Sequence, residues 1–266
     1  GMLTGRRAMD LAIKKARACG IAYVGVKNSC HFGAAGYYAN LAASAGMIGL
    51  SMSNGDPVMA VPNAAGVTIG NNPFAFAAPM KGGKSVFLDI ALSNVAALKV
   101  VMAKEKGARV PLTWLVDENG RPTDDPSGFP GHSSLQPMGA HKGYGFAMMV
   151  EILAAVLTGA GMLSEIVSWN LKLPEKNKVG HAFIAVDVAQ MMDMALFEER
   201  MARMVEELHN APKAKDAERI FVPGEMEWEK REKALAADRI ELTDVMAENM
   251  EKLSALTGEP IRWLAD

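Results

Sequence analysis

Apolar positions along this chain change period several times, and those changes predict its elements. Over residues 5–18 they recur at helical spacing. Leu11, Ala12 and Ala16 fall on one stripe, Arg6, Lys14, Lys15 and Arg17 lie largely opposite, and Gly20 ends the run. Residues 21–26 form a short apolar β-type run, residues 33–45 a helix built on small side chains, and residues 47–53 a second apolar strand. This helix–strand alternation with short Gly turns predicts a layered α/β fold, a mixed sheet with flanking helices. A chain that opens on a helix already packed for such a unit is expected to have a segment before it.

Residues 55–79 change texture to Pro, Gly and Asn. Asp56-Pro57, Pro62-Asn63 and Gly70-Asn71-Asn72-Pro73 are turn signals, with strands expected at 74–78 and 86–90. A helix is expected at 94–106, a strand at 113–116 running into the turn Asp117-Glu118-Asn119-Gly120, and an ordered loop or lid at 121–141. Residues 143–159 resume a strongly apolar helix. Its one charge, Glu151, lies among Phe146, Met148, Val150, Ile152, Leu153, Val156 and Leu157, which predicts a central, buried helix. Residues 168–178 read as a loop and 181–186 as a strand. Asp193 then caps a helix to His209 with Phe197, Met201, Met204, Val205 and Leu208 on one stripe. Two more amphipathic helices end near Gly258. No repeat or composition break divides residues 1–266, so one unit is expected, with residues 55–145 as its cofactor-binding part.

Composition narrows the class. Half of the 266 residues are hydrophobic and 22% are charged, enough for a sizeable core. A net charge of −2 gives no general attraction for nucleic acid or anionic membranes. There is no run of eighteen apolar residues and no signal-peptide pattern. Cys19 and Cys30 have no metal-type spacing and read as reduced thiols of a cytoplasmic protein.

His31 is the first candidate for chemistry. It stands between a strand and a helix start, where α/β proteins gather ligands. Imidazole trades a proton near neutrality, and a helix N-terminus disfavours its charged form. The alternative is a turn histidine that caps or packs. Gly139-Ala140-His141-Lys142-Gly143-Tyr144-Gly145 places a glycine-bracketed cation at a helix start, suited to phosphate or carboxylate; the alternative is a plain loop-to-helix cap. Asp89, at a strand end, either accepts ribose hydroxyls or caps the helix starting near Asn94. Lys81-Gly82-Gly83-Lys84-Ser85 is not a P-loop, since Ala78 stands at the first glycine and a strand follows. No strand–GxGxxG–helix fingerprint supports a Rossmann site. His132, His181 and His209 lack partners at metal-ligand spacing and are taken as structural or surface residues, so no metal is expected. The 19 methionines read as core filler.

Several motifs occur in order over nearly the whole chain: Asn28-Ser29-Cys30-His31-Phe32-Gly33, Ser51-Met52-Ser53-Asn54 with Pro57, and Gly70-Asn71-Asn72-Pro73-Phe74-Ala75. They continue with Leu88-Asp89-Ile90-Ala91, Pro122-Thr123-Asp124-Asp125-Pro126, Lys142-Gly143-Tyr144-Gly145 and Pro223-Gly224-Glu225. Together they resemble the malate/L-lactate dehydrogenase family that is distinct from the Rossmann-type enzymes. The resemblance implies a family-specific non-Rossmann fold, usually a homodimer. It also implies NAD- or NADP-dependent hydride transfer at a 2-hydroxy/2-oxo acid or a related small anionic substrate. His31 matches a proton-transfer position; Asp89, Ile90, Ala91, Lys142, Gly143, Gly224 and Glu225 match cofactor-lining positions, and Gly55 matches one that is often Ser.

The chain also departs from the family pattern. A Ser-His-Gly segment that the family carries upstream is not found before Met2. Gly70-Asn71-Asn72-Pro73 replaces Gly-Thr-Asn-Pro, Leu98-Lys99 replaces Gly-Lys, and Gly139-Ala140-His141-Lys142 replaces Gly-Gly-x-Lys. The resemblance therefore leaves two expectations open: an active dehydrogenase, or a truncated relative that folds, dimerises and at most binds nucleotide.

Overall fold

The computed structural model describes residues 1–169, 172, 175–238 and 242–263. It contains helices α1 (Met2–Cys19), α2 (Ala35–Ser44), α3 (Ala97–Glu105), α4 (His141–Glu151), α5 (Val188–Met191), α6 (Met194–His209), α7 (Glu225–Ala237) and α8 (Asp244–Thr257). The strands are β1 (Ile21–Ser29), β2 (Met47–Ser53), β3 (Pro57–Met59), β4 (Ile69–Gly70), β5 (Phe74–Ala78), β6 (Val86–Ile90), β7 (Leu115–Asp117), β8 (Pro122–Thr123), β9 (Ser133–Leu135) and β10 (Val179–Asp187). Two compact units are present, Gly1–Gly224 and Glu225–Asp266. The second consists of α7 and α8, the latter capped by Thr243 and closed by a left-handed Gly258.

The first unit has two five-stranded sheets, ordered β1-β10-β2-β5-β6 and β4-β3-β9-β7-β8. The predicted layered α/β architecture is present, and the mixed pairing falls in the smaller sheet. There β3 pairs parallel to β9, while every pair in the larger sheet is antiparallel. The reason is β10. It returns after more than 120 residues and inserts between β1 and β2, pairing His181 with Val26 on one side and with Ser53 on the other.

Alternating side chains divide the core in two. One face of the large sheet packs Ala75, Ala77, Phe183 and Ala185 against Met9, Ala12 and Ala16 of α1 and Tyr38, Ala39 and Ala42 of α2. The buried stripe of α1 is Gly5, Ala8, Met9, Ala12 and Ala16, so Leu11, expected inside, lies outside. The other face packs Met52 and Ala182 against Leu115 and Leu135 of the small sheet and Ala147, Val150 and Ala154 of the α4 region. On α6, capped as predicted by Asp193 accepting from Leu196 N, no residue is fully buried. Among the described residues no helix is long and apolar enough to cross a membrane.

The apolar helix departs from expectation. α4 runs into a π-helical turn at Ile152–Val156, and only one side is buried. Phe146, Ile152, Val156 and Leu157 are about half exposed, whereas the lone charge, Glu151, is inside. Small side chains allow the sheet to approach, and Glu151 is needed there as an acceptor. Its Oε1 takes N–H bonds from Asn54 Nδ2 (3.1 Å) and Leu163 N (2.9 Å), and its Oε2 takes one from Asn72 Nδ2 (2.8 Å). The reversal thus follows from hydrogen bonding that a hydropathy pattern does not record. Glu151→Leu strands these donors in the interior and is expected to lower the unfolding free energy by about 3 kcal/mol or more, measured by urea denaturation.

Candidate functional site

The site begins with a distortion in β1. Its pairing with β10 slips between Val26 and Ser29, and Asn28 takes φ 55°. A bulge of this kind ends a ladder and re-aims the chain. Residues 30–34 leave the sheet there and carry His31 to the start of α2.

His31 is exposed, and its Nδ1 accepts from Gly33 N at 3.3 Å. The neutral ring therefore carries its proton on Nε2. The ring stacks on Trp169, with centroids 4.8 Å apart. On either side of His31 the chain is held from within. Ser29 Oγ lies 2.9 Å from His181 Nε2. Phe32 is buried, stacks parallel to the His181 ring at 4.5 Å, and its carbonyl accepts from Tyr38 OH.

Asp89 reaches the start of α2. Its Oδ2 accepts from Gly36 N at 2.7 Å, so it caps α2, whose own N-cap makes no side-chain bond. A carboxylate there also complements the helix dipole. The chain from Asp89 then runs through Ile90 and Ala91 to Leu92. Leu92 N donates to Asn71 O (2.8 Å), and Leu92 O accepts from Met138 N (2.9 Å). This segment links the start of α2, near His31, to the start of α4, where Lys142 and Gly143 lie.

At α4 the expected cradle of free N–H groups is not found. Lys142 N donates to Gly139 O, Gly143 N to Met138 O at 2.7 Å, and Tyr144 N to Ala140 O. Gly143 is required by packing, since a Cβ would meet the Met138 backbone and, at 2.8 Å, Leu92 O. What α4 offers an anion is the exposed Lys142 side chain. Gly55 is half-buried, donates to Asn72 Oδ1 (3.2 Å) and has open space where a Cβ would stand. Gly224, at φ 98°, lies against Phe87, whose N donates to Pro223 O at 3.1 Å; residues 223–224 thus run beside β6 two positions before Asp89. Glu225 opens α7 in the second unit.

A pocket of about 630 Å³ lies between the small sheet and the turn before α4. All its lining residues fall between Ala60 and Ala140, and none is charged. Trp114 and Val61 give it apolar surface. Gln136 spends both amide N–H groups on the Leu112 and Leu115 carbonyls and Asn94 one on the Thr113 carbonyl, so the side-chain oxygens are available as acceptors and Asn94 keeps one N–H. Its size is that of small-molecule sites, and its chemistry suits a neutral heteroaromatic ring bearing an N–H donor.

Sequence reasoning passed over three participants. His181 is fully buried as the partner of the His31 loop, whereas His132 is exposed. Asn72 and Glu151 tie Gly55 to α4. The lone charge in an apolar run was the available signal for Glu151; nothing local marks His181.

The α/β scaffold thus carries an exposed imidazole at the start of α2, an exposed cation at the start of α4 and a neutral pocket before α4. Comparison with known proteins narrows the class. The pattern of the malate/L-lactate dehydrogenase family matches residues 1–251. Malate dehydrogenase of Pyrococcus abyssi is 40% identical over 233 residues, covering 85% of this chain and 63% of that protein. Ureidoglycolate dehydrogenase (NAD(+)) of Escherichia coli K12 is 34% identical over 244 residues, 92% of this chain and 69% of that protein. The crystal structure of malate dehydrogenase from Entamoeba histolytica superposes with a TM-score of 0.90 at 30% identity, over 98% of this chain and 75% of that one. The chain belongs to the malate/L-lactate dehydrogenase family. It spans about 63% of the length of the Pyrococcus relative.

Burial lowers the pKa of His181 from its ordinary 6.5 to about 4. Between those values the unfolded chain binds the proton and the folded chain does not. Stability is therefore fully present above about 6.5 and lost as pH falls through about 4. The difference is on the order of 3 kcal/mol. His181→Phe is expected to flatten this part of the pH dependence, measured by urea unfolding at pH values across that interval.

Proposed function

We propose that this chain carries the proton-transfer residue and nucleotide-binding surface of an NAD(P)-dependent oxidoreductase acting on a 2-hydroxy/2-oxo acid or a related small anionic substrate. The observation that carries the reading is His31, an exposed imidazole on a loop held from within on both sides, in a chain of this family. When bound, NAD or NADP supplies the hydride acceptor or donor. The neutral pocket fits the ring of such a nucleotide, and Lys142 fits its anionic part. Gly55, Asp89, Ile90, Ala91, Gly143, Gly224 and Glu225 are the remaining cofactor-lining positions of this reading. Asp89 to Ala91 bridges the two helix starts.

His31 handles the substrate proton. With Nδ1 accepting from Gly33, Nε2–H is a donor that stabilises charge developing on a substrate oxygen during reduction. Accepting a hydroxyl proton at Nε2 during oxidation uses the other tautomer and forfeits the Gly33 bond, which at 3.3 Å is long and weak. Delivering that proton in reduction is the reverse step: the imidazolium, protonated on both nitrogens and likewise without the Gly33 bond, gives its Nε2 proton to the substrate oxygen and returns to the neutral Nδ1–H ring.

A homodimer is part of the proposal. Phe146, Ile152, Val156 and Leu157 give the α4 region an exposed apolar face of the kind oligomers cover. Two exposed, unpaired thiols, Cys19 and Cys30, support a reducing, cytoplasmic setting.

The test is nucleotide-linked turnover of a panel of 2-oxo acids and cyclic imines by the 266-residue chain, with NADH and NADPH in parallel. His31→Ala is expected to lower kcat by about 10²–10⁴-fold while nucleotide binding, followed by fluorescence, persists. Unchanged turnover in His31→Ala overturns the assignment, and nucleotide binding with no turnover of any substrate favours the non-catalytic relative.

A further inference from the structure

We infer that His181 is the positioning residue of His31: one buried imidazole grips the chain immediately before and immediately after the proton-transfer residue. The inference rests on the role proposed for His31.

Proton counting assigns the grip. Ser53 Oγ has a single hydrogen, and it lies 2.7 Å from Asn54 O and 3.2 Å from Gly180 O, both acceptors. His181 Nδ1, 2.9 Å from Ser53 Oγ, must therefore be the donor in that contact. In the neutral ring Nε2 is then an acceptor, and it takes the Ser29 hydroxyl proton at 2.9 Å. The direction of every bond follows, from Ser29 through His181 and Ser53 to the Asn54 carbonyl.

The second hold is through the ring face. Phe32 lies on His181 with an interplanar angle of 5°, beyond the point where β1 has left its ladder. Ser29 and Phe32 bracket Cys30 and His31, and the Cys30 backbone also interacts with the His181 ring. The clamp itself cannot shift easily. His181 is paired across two strands, and Asn54, next to Ser53, accepts from Gly180 N and donates to Glu151. A histidine suits the place because it combines a flat face with a donor on one edge and an acceptor on the other. Phe keeps the face and loses the edges; Gln keeps polar edges and loses the face.

Displacement of a reacting group by about 1 Å costs on the order of 10²-fold in rate. His181→Phe and Ser29→Ala are therefore expected to lower kcat by about 10- to 100-fold with the nucleotide Kd unchanged. Because the residue acts through His31, His181→Phe placed in the His31→Ala background should produce no further fall; a general structural defect would lower the residual rate again. Amide exchange at residues 31–34 is expected to quicken in both single variants. Ser29→Ala removes only a hydroxyl and keeps the test available if His181→Phe does not fold. Unchanged exchange at residues 31–34, or wild-type kcat in a folded variant while His31→Ala is inactive, overturns the inference. Full turnover in His31→Ala instead removes the role on which it rests.

Discussion

Glu151 sits in the interior of the first unit with both carboxylate oxygens occupied by N–H donors, and much of the remaining structure is arranged around that requirement. Burying a carboxylate is costly unless its oxygens are satisfied. Its donors come from three separated stretches: the end of β2, the turn before β5, and the short helical turn after the π-helix. Each donor is itself tied elsewhere. Asn54 also binds Gly161 O and Gly180 N, and Asn72 also binds Ala147 O and Gly55 N. Moving any one of these segments leaves a polar group unpaired in a medium where that is expensive. A network so connected specifies a single arrangement of β2, β10, α4 and the Gly70-Asn71-Asn72-Pro73 turn, which apolar packing alone would fix less sharply.

The same network continues to the site. Asn54 follows Ser53, Ser53 receives His181, and His181 holds Ser29 and Phe32 on either side of His31. At its other end Asn72 fixes Gly55, and the adjoining Asn71 fixes Leu92 and with it the run from Asp89 to Ala91. One set of buried hydrogen bonds thus reaches both the His31 loop and the surface proposed for the nucleotide. The loop is exposed where chemistry needs access and constrained where it enters and leaves the core.

Much of this fold was legible in the sequence. Residues 47–53, 74–78 and 86–90 are strands with the expected bounds, and the Asp193 cap and the final Gly258 are where turn chemistry puts them. These signals are local: period two, β-branched and aromatic side chains, a capping oxygen. The insertion of β10 between β1 and β2 is not local, and nothing in residues 21–53 announces it. Burial on α4 was inverted because hydropathy scores Phe146 and Ile152 as interior and Glu151 as exterior, whereas hydrogen bonding decides the matter. His31 stood out because a strand-to-helix turn is visible in one dimension. His181 did not, because its partners lie more than 120 positions away. That Asp89 accepts from Gly36 at the start of α2 was hidden for the same reason, since the two lie more than 50 positions apart.

The electrostatics of the nucleotide surface also separate this scaffold from the doubly wound dinucleotide folds. In those, a glycine-rich turn leaves helix N–H groups open and the pyrophosphate settles on them. Here the first turn of α4 gives its N–H groups to Gly139, Met138 and Ala140 carbonyls, which lock the turn and bring it against Leu92. Gly143 stands where close packing against Met138 and Leu92 requires a glycine. The proposed function therefore gives the attraction for phosphate to a side chain, and Lys142 follows within two residues of Ala140, which lines the neutral pocket. In the proposed function, a ring in that pocket and a charge at Lys142 divide the nucleotide between two chemistries that a helix terminus would otherwise combine. The sequence has no GxGxxG fingerprint, in keeping with this proposal: a backbone that does not approach phosphate has no need of the glycines that would let it.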